Sequence, residues 1–91
     1  MSTSEVEKKI DECIAELSRF KAISPEARAA IENLERLKEQ IKSLTKQTAD
    51  ELIKLLDEQY KRSAAYASFI PKTVANLKFI KEWLEKKRAE L

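Results

Sequence analysis

The chain has 91 residues, 43% of them hydrophobic and 37% charged, with a net charge of +2, no histidine, no glycine and a single cysteine. A chain of this length supports one domain with one modest core, so residues 1–91 read as a single unit. The missing histidine removes the commonest general base near neutral pH, the usual third member of Ser and Cys triads, and, with one cysteine, any zinc site built from His and Cys; glycine-rich phosphate loops are excluded as well. Without glycine no position takes a positive φ cheaply, and the tight Asn-Gly or Asp-Gly hairpins of small sheet proteins cannot form. Ala, Leu, Glu, Lys and Arg at helical spacing instead predict an all-α antiparallel bundle of three or four helices, over about 4–22, 25–46, 49–70 and 73–90.

Ser4 followed by Glu7 forms a capping-box pattern, and Val6, Ile10, Cys13, Ile14, Leu17 and Phe20 then recur at helical intervals. Cys13 sits among these core positions, which predicts a buried, inert thiol. Ser24, Pro25 and Glu26 mark the next start: an N-cap hydroxyl, a proline at the first helical position, and a carboxylate near the positive end of the helix dipole.

In the second helix Ala27, Ala30, Leu34, Leu37, Ile41 and Leu44 form a narrow seam that continues through Thr48 to Leu52 and Leu56. Thr48 with Glu51 resembles a capping box and predicts a break near residues 45–49. A single bent helix from Pro25 to Ile70 is the alternative; it would be about 69 Å long and would favour self-association.

The third helix reads as two-faced, with Leu52, Leu56, Tyr60, Ser63, Ala67 and Ile70 on one side and Leu55, Tyr66 and Phe69 beside them. Pro71 interrupts the pattern, and Thr73 is the expected cap of the final helix. There Leu77, Ile80, Leu84 and Leu91 fall within about 60°, while Trp83 and Phe79 lie about 90 to 130° from the centre of that stripe.

Charge is unevenly distributed. Residues 1–59 hold ten Lys or Arg against thirteen Asp or Glu, and residues 60–91 hold eight against three. Between Gln59 and Lys81 there is no acidic residue at all. Two uses of that asymmetry stand side by side: pairing between an acidic and a basic helix, and a basic docking face.

With catalytic constellations largely excluded, the expected function is non-enzymatic: a protein-interaction or scaffold module docking a partner helix, or a second copy of itself. The expected partner surface is formed by Tyr66, Phe69, Phe79 and Trp83, with Lys72, Lys78 and Lys81 steering an acidic partner. No cofactor or metal is expected. Nucleic-acid binding by the basic final helix is an alternative, with Lys72, Lys78, Lys81, Lys86, Lys87 and Arg88 neutralising phosphates. An engineered helical scaffold is a further reading of the glycine-free, densely capped composition.

No apolar run reaches the roughly 20 residues that cross a bilayer, and MSTSEVEKK lacks the regions of a secretory leader, so the expected location is cytoplasmic. The segment DELIKLLDEQYKRS, about a dozen residues of common helix formers, is similar to a helix of the chorismate mutase family. That likeness implies a small helical enzyme in which cations hold a dicarboxylate in a reactive geometry.

Overall fold

The computed structural model describes residues 3–91 and contains four helices: α1 (Thr3–Ser18), α2 (Pro25–Gln40), α3 (Lys46–Ala64) and α4 (Pro71–Glu90). Helix α2 begins as its sequence dictates, with Pro25 in the first turn and the Ser24 hydroxyl accepting a hydrogen bond from the Ala27 N–H. The middle of the chain is two helices, which removes the long-helix alternative. The break is capped one turn earlier than expected: Thr45, not Thr48, is the N-cap, and Thr48 is its reciprocal partner in the capping box. Helix α1 already includes Ser4, so Ser4 is not its N-cap; the residues preceding Thr3 lie outside those described.

A chain without glycine must leave its helices without the left-handed residue that commonly ends them. It does so with right-handed turns. The C-caps Ile41 and Ala65 keep φ near −67° and −64°, and no residue among those described has positive φ. Short i to i+3 bonds then tighten each exit, such as Lys42 N–H to Glu39 C=O and Tyr66 N–H to Ser63 C=O. As a result α1, α2 and α3 end earlier than their periodicity suggests, at Ser18, Gln40 and Ala64 in place of about 22, 46 and 70.

Cross-chain contacts fix the topology. Asp11 meets Lys38, Glu16 meets Thr73, and Asp50 and Asp57 meet Arg88 and Lys81. Glu16 with Thr73 and Glu12 with Asn76, like Asp50 with Arg88 and Asp57 with Lys81, pair advancing positions on one helix with receding positions on the other. The short connection folds α2 back along α1, giving an up-down-up-down bundle with both the α1–α2 and the α3–α4 connections at one end. Helix α2 packs on α1, α1 on α4, and α4 on α3.

The core is continuous, built from Val6, Ile10, Cys13 and Leu17 of α1, Ala30, Leu34 and Leu37 of α2, Leu52 and Leu56 of α3, and Leu77, Ile80, Trp83 and Leu84 of α4. Leu91, expected on the core stripe, is exposed just beyond the end of α4. Among the described residues no helix is long and apolar enough to cross a membrane.

The fourth helix starts at Pro71, not near Val74, and it has no local side-chain cap. Its first donors are satisfied from across the bundle: the Glu16 carboxylate accepts from the backbone N–H of Thr73 at 2.6 Å and of Lys72 at 3.1 Å. Thr73, the expected cap, is instead buried inside the first turn, and its hydroxyl has no hydrogen-bond partner among the described residues. One turn further on, the Asn76 amide donates to the Glu12 carboxylate and to the Lys9 carbonyl, continuing a polar seam between α1 and α4.

Candidate interaction groove

The helices α2 and α3 are joined by a short turn, so they start close together, but they do not pack along their length as the other neighbouring pairs do. Near the turn Leu34 and Leu37 of α2 approach Leu55 and Leu56 of α3. Toward the loop end an open groove of about 870 Å³ lies between them. Its α2 wall carries Ala27 and Ala30, whose short side chains leave the space unfilled, and its opposite wall carries Gln59, Arg62 and Ala65. Leu17 and Phe20 from α1 and its following turn, together with Ile70, complete the apolar lining.

Two loops frame the mouth. Ile23, Tyr66 and Phe69 all line the groove yet remain 81%, 51% and 63% exposed. Burial of large apolar side chains is the main stabilising force in folding, so three of them standing open beside one concavity constitute an unpartnered apolar surface. Leu55, exposed further down α3, extends the same face toward the α2–α3 turn.

The seven residues expected to form one partner surface do not lie together. Tyr66 and Phe69 are at the groove. Trp83 is only 3% exposed and belongs to the core, with Lys87 Nζ 5.7 Å from the centre of its ring, so it cannot serve as an exposed anchor in this fold. Phe79 is half-buried against the core, and Lys9 Nζ of α1 sits 5.3 Å from its ring centre. Lys81 pairs with Asp57 of α3 at 2.9 Å. Lys78 is exposed on α4, while Lys72 is exposed at the start of α4, at the same end of the bundle as the groove.

Several cations of the C-terminal half are thus used inside the bundle. Asp57 accepts from both Lys81 and Lys61, which holds its carboxyl below the ordinary carboxylate range, and the Asp57 hydrogen bond in turn raises Lys81. The pair Asp50 and Arg88 behaves in the same way at the other end of the α3–α4 contact. Cys13, buried between α1 and α4, has its thiol pushed up to about 12, chiefly by burial; Asn76 opposes that shift, whereas Glu16 and Glu12 reinforce it.

Phe20, Ile23, Ala27, Ala30, Lys61 and Arg62 were not among the expected partner residues. Lys61 and Arg62 were legible in part, since both fall in the acid-free run. For Ile23 the signal was an isolated large apolar residue directly before a Ser-Pro helix start. Of the segment DELIKLLDEQYKRS, Lys61 and Arg62 line the groove, while Lys54 is exposed elsewhere on α3. No protein-family model, no curated protein and no solved structure matches this chain.

Proposed function

We propose that this chain is a non-enzymatic interaction module that receives a partner helix in the groove between α2 and α3. The observation that carries the reading is the apolar concavity between these two helices with Ile23, Tyr66 and Phe69 left exposed at its mouth. A helix suits this groove better than an extended segment, for a hydrogen-bonding reason. Extended backbone entering an apolar site needs a sheet edge to satisfy its N–H and C=O groups, and the described residues form helices only, whereas a helix brings its own bonds. From Glu26 to Asn33 the α2 wall runs for about 10 Å, enough for about two turns of a docked helix presenting anchors at i and i+4.

The nucleic-acid reading draws less support. Of the six cations it invokes, Lys81 and Arg88 are engaged with acidic residues of α3, and Glu82, Glu85 and Glu90 interrupt the face on which Lys72, Lys78, Lys86 and Lys87 remain without an ion pair among the described residues.

The test is selection from a displayed library of amphipathic helices of about 18 residues, followed by two variants at exposed positions. Binders should be recovered, and both Ala29→Trp, which narrows the groove from its rim, and the pair Tyr66→Ala with Phe69→Ala should weaken them while leaving the circular dichroism spectrum unchanged. Failure to recover any helix, or binders indifferent to both variants, overturns the reading.

A further inference from the structure

We infer that the helix received in this groove is acidic along its flanks, a deepening that rests on the groove reading above. Charge complementarity points to such a partner. The loop end of the bundle gathers Arg19 and Lys21 from the α1–α2 connection, Arg28 from α2, Lys61 and Arg62 from α3, and Lys72 from the start of α4. Within 17–28 and 61–73 the one acidic residue is Glu26, which lines the groove together with Lys61 and Arg62. The nearby Glu16 is already engaged by the backbone of α4.

Little of this positive charge is neutralised by the fold. Arg28 donates to the Lys21 carbonyl, a contact that leaves its charge uncompensated. Arg19 lies over the Phe20 ring, and Lys61 meets Asp57 in an exposed pair, a kind of contact that screens weakly. Arg62, Lys21 and Lys72 make no ion pair among the described residues. Helix dipoles do not decide the sign either, because the N-terminus of α2 and the C-terminus of α3 meet at this end with opposite partial charges. Side-chain charge therefore sets the potential at the groove, and it favours carboxylates placed beside the apolar anchors.

A basic tip with exposed aromatics also matches an anionic bilayer in charge. Shape separates the two partners. The apolar floor formed by Leu17, Ala27, Ala30 and Ile70 is concave, and a convex helix reaches it where a flat surface touches only the rim.

Two synthetic helical peptides with one shared apolar face, flanked in one by glutamate and in the other by lysine, provide the test. The glutamate peptide should bind roughly tenfold or more tightly at low ionic strength, and the gap should shrink as salt is added. The pair Lys61→Glu with Arg62→Glu, both at exposed positions, should reverse the order. Equal binding of both peptides, with either one displaced by Ala29→Trp, overturns the acidic flank but leaves the groove reading standing. Binding of neither peptide removes both. Sedimentation of the free chain as a dimer that Ala29→Trp converts to a monomer would assign the groove to a second copy, and binding to phosphatidylserine vesicles without any preference between the peptides would assign the tip to a membrane; each result overturns the inference.

Discussion

The carboxylate of Glu16 accepts a hydrogen bond from the backbone N–H of Thr73 at 2.6 Å, so a residue of α1 caps a helix that begins more than fifty residues later in the chain. Helix starts leave N–H donors without internal partners, and Ile70, the residue preceding Pro71, has no side chain able to accept them. A long-range carboxylate meets that need and at the same time fixes the register of α1 against α4.

Removing this cap should cost stability without removing the helix. Glu16→Ala is expected to lower the unfolding free energy by about 1–2 kcal/mol, the range of a lost N-cap with charge-assisted bonds. Amide exchange at Lys72 and Thr73 should accelerate more than exchange in the centre of α4. An unchanged denaturation midpoint would show that water replaces the carboxylate at no cost.

Thr73 itself predicts a gain. Its hydroxyl is buried with no nitrogen or oxygen partner among the described residues and at most a weak contact with the Cys13 thiol, and a poorly satisfied buried hydroxyl costs free energy that a methyl group of similar shape does not. Thr73→Val should raise the unfolding free energy by about 1 kcal/mol, read from the urea midpoint. A loss of stability on the same scale would mean that the hydroxyl is hydrogen-bonded in solution.

The aromatics should separate into two classes. Trp83→Ala opens a cavity in the core and should destabilise by about 3–5 kcal/mol. Tyr66→Ala and Phe69→Ala, both at exposed positions, should each change stability by no more than about 0.5 kcal/mol while weakening helix binding. Thermal denaturation of the three variants side by side distinguishes the classes, and equal effects would contradict the division between core and groove.

Cys13 supplies a pH-dependent prediction. Burial raises its pKa from the ordinary 9.0 to about 12, so the folded state holds the thiol proton more tightly than the unfolded state does. The resulting stabilisation is fully present below pH 9.0 and declines as pH rises toward about 12. Lysines titrate over part of the same range, so the useful quantity is the difference between the wild type and Cys13→Ala. That difference should narrow steadily above pH 9, and at neutral pH the native thiol should resist alkylation until denaturant is added. Rapid native labelling would rule out the buried, protonated thiol.

The cores of α1 and α2 were legible because Val6, Ile10, Cys13 and Leu17, and Ala30, Leu34 and Leu37, repeat at the helical period and are buried as that period requires. Trp83 was not, since its angular offset from Leu77, Ile80 and Leu84 placed it at the edge of the stripe. Helix α4 packs on both α1 and α3, and a helix between two neighbours buries a wider arc than a single stripe. The aromatics Tyr66 and Phe69, expected in the partner surface, lie exposed at the groove; what could not be read was that Ile23, Ala27 and Ala30, far away in sequence, stand beside them.

By itself the sequence determined the all-α class, the absence of histidine and glycine chemistry, the Ser-Pro start of α2 and the buried, isolated thiol. These follow from local rules: composition limits the available chemistry, and periodicity with capping limits the backbone. Only the tertiary structure decided which cations face solvent and which meet Asp50 or Asp57, that Glu16 rather than Thr73 caps α4, and that an open groove lies between α2 and α3. Each of these depends on the distance between residues remote in the chain, a quantity set by how the helices pack and not by the spacing along any one of them.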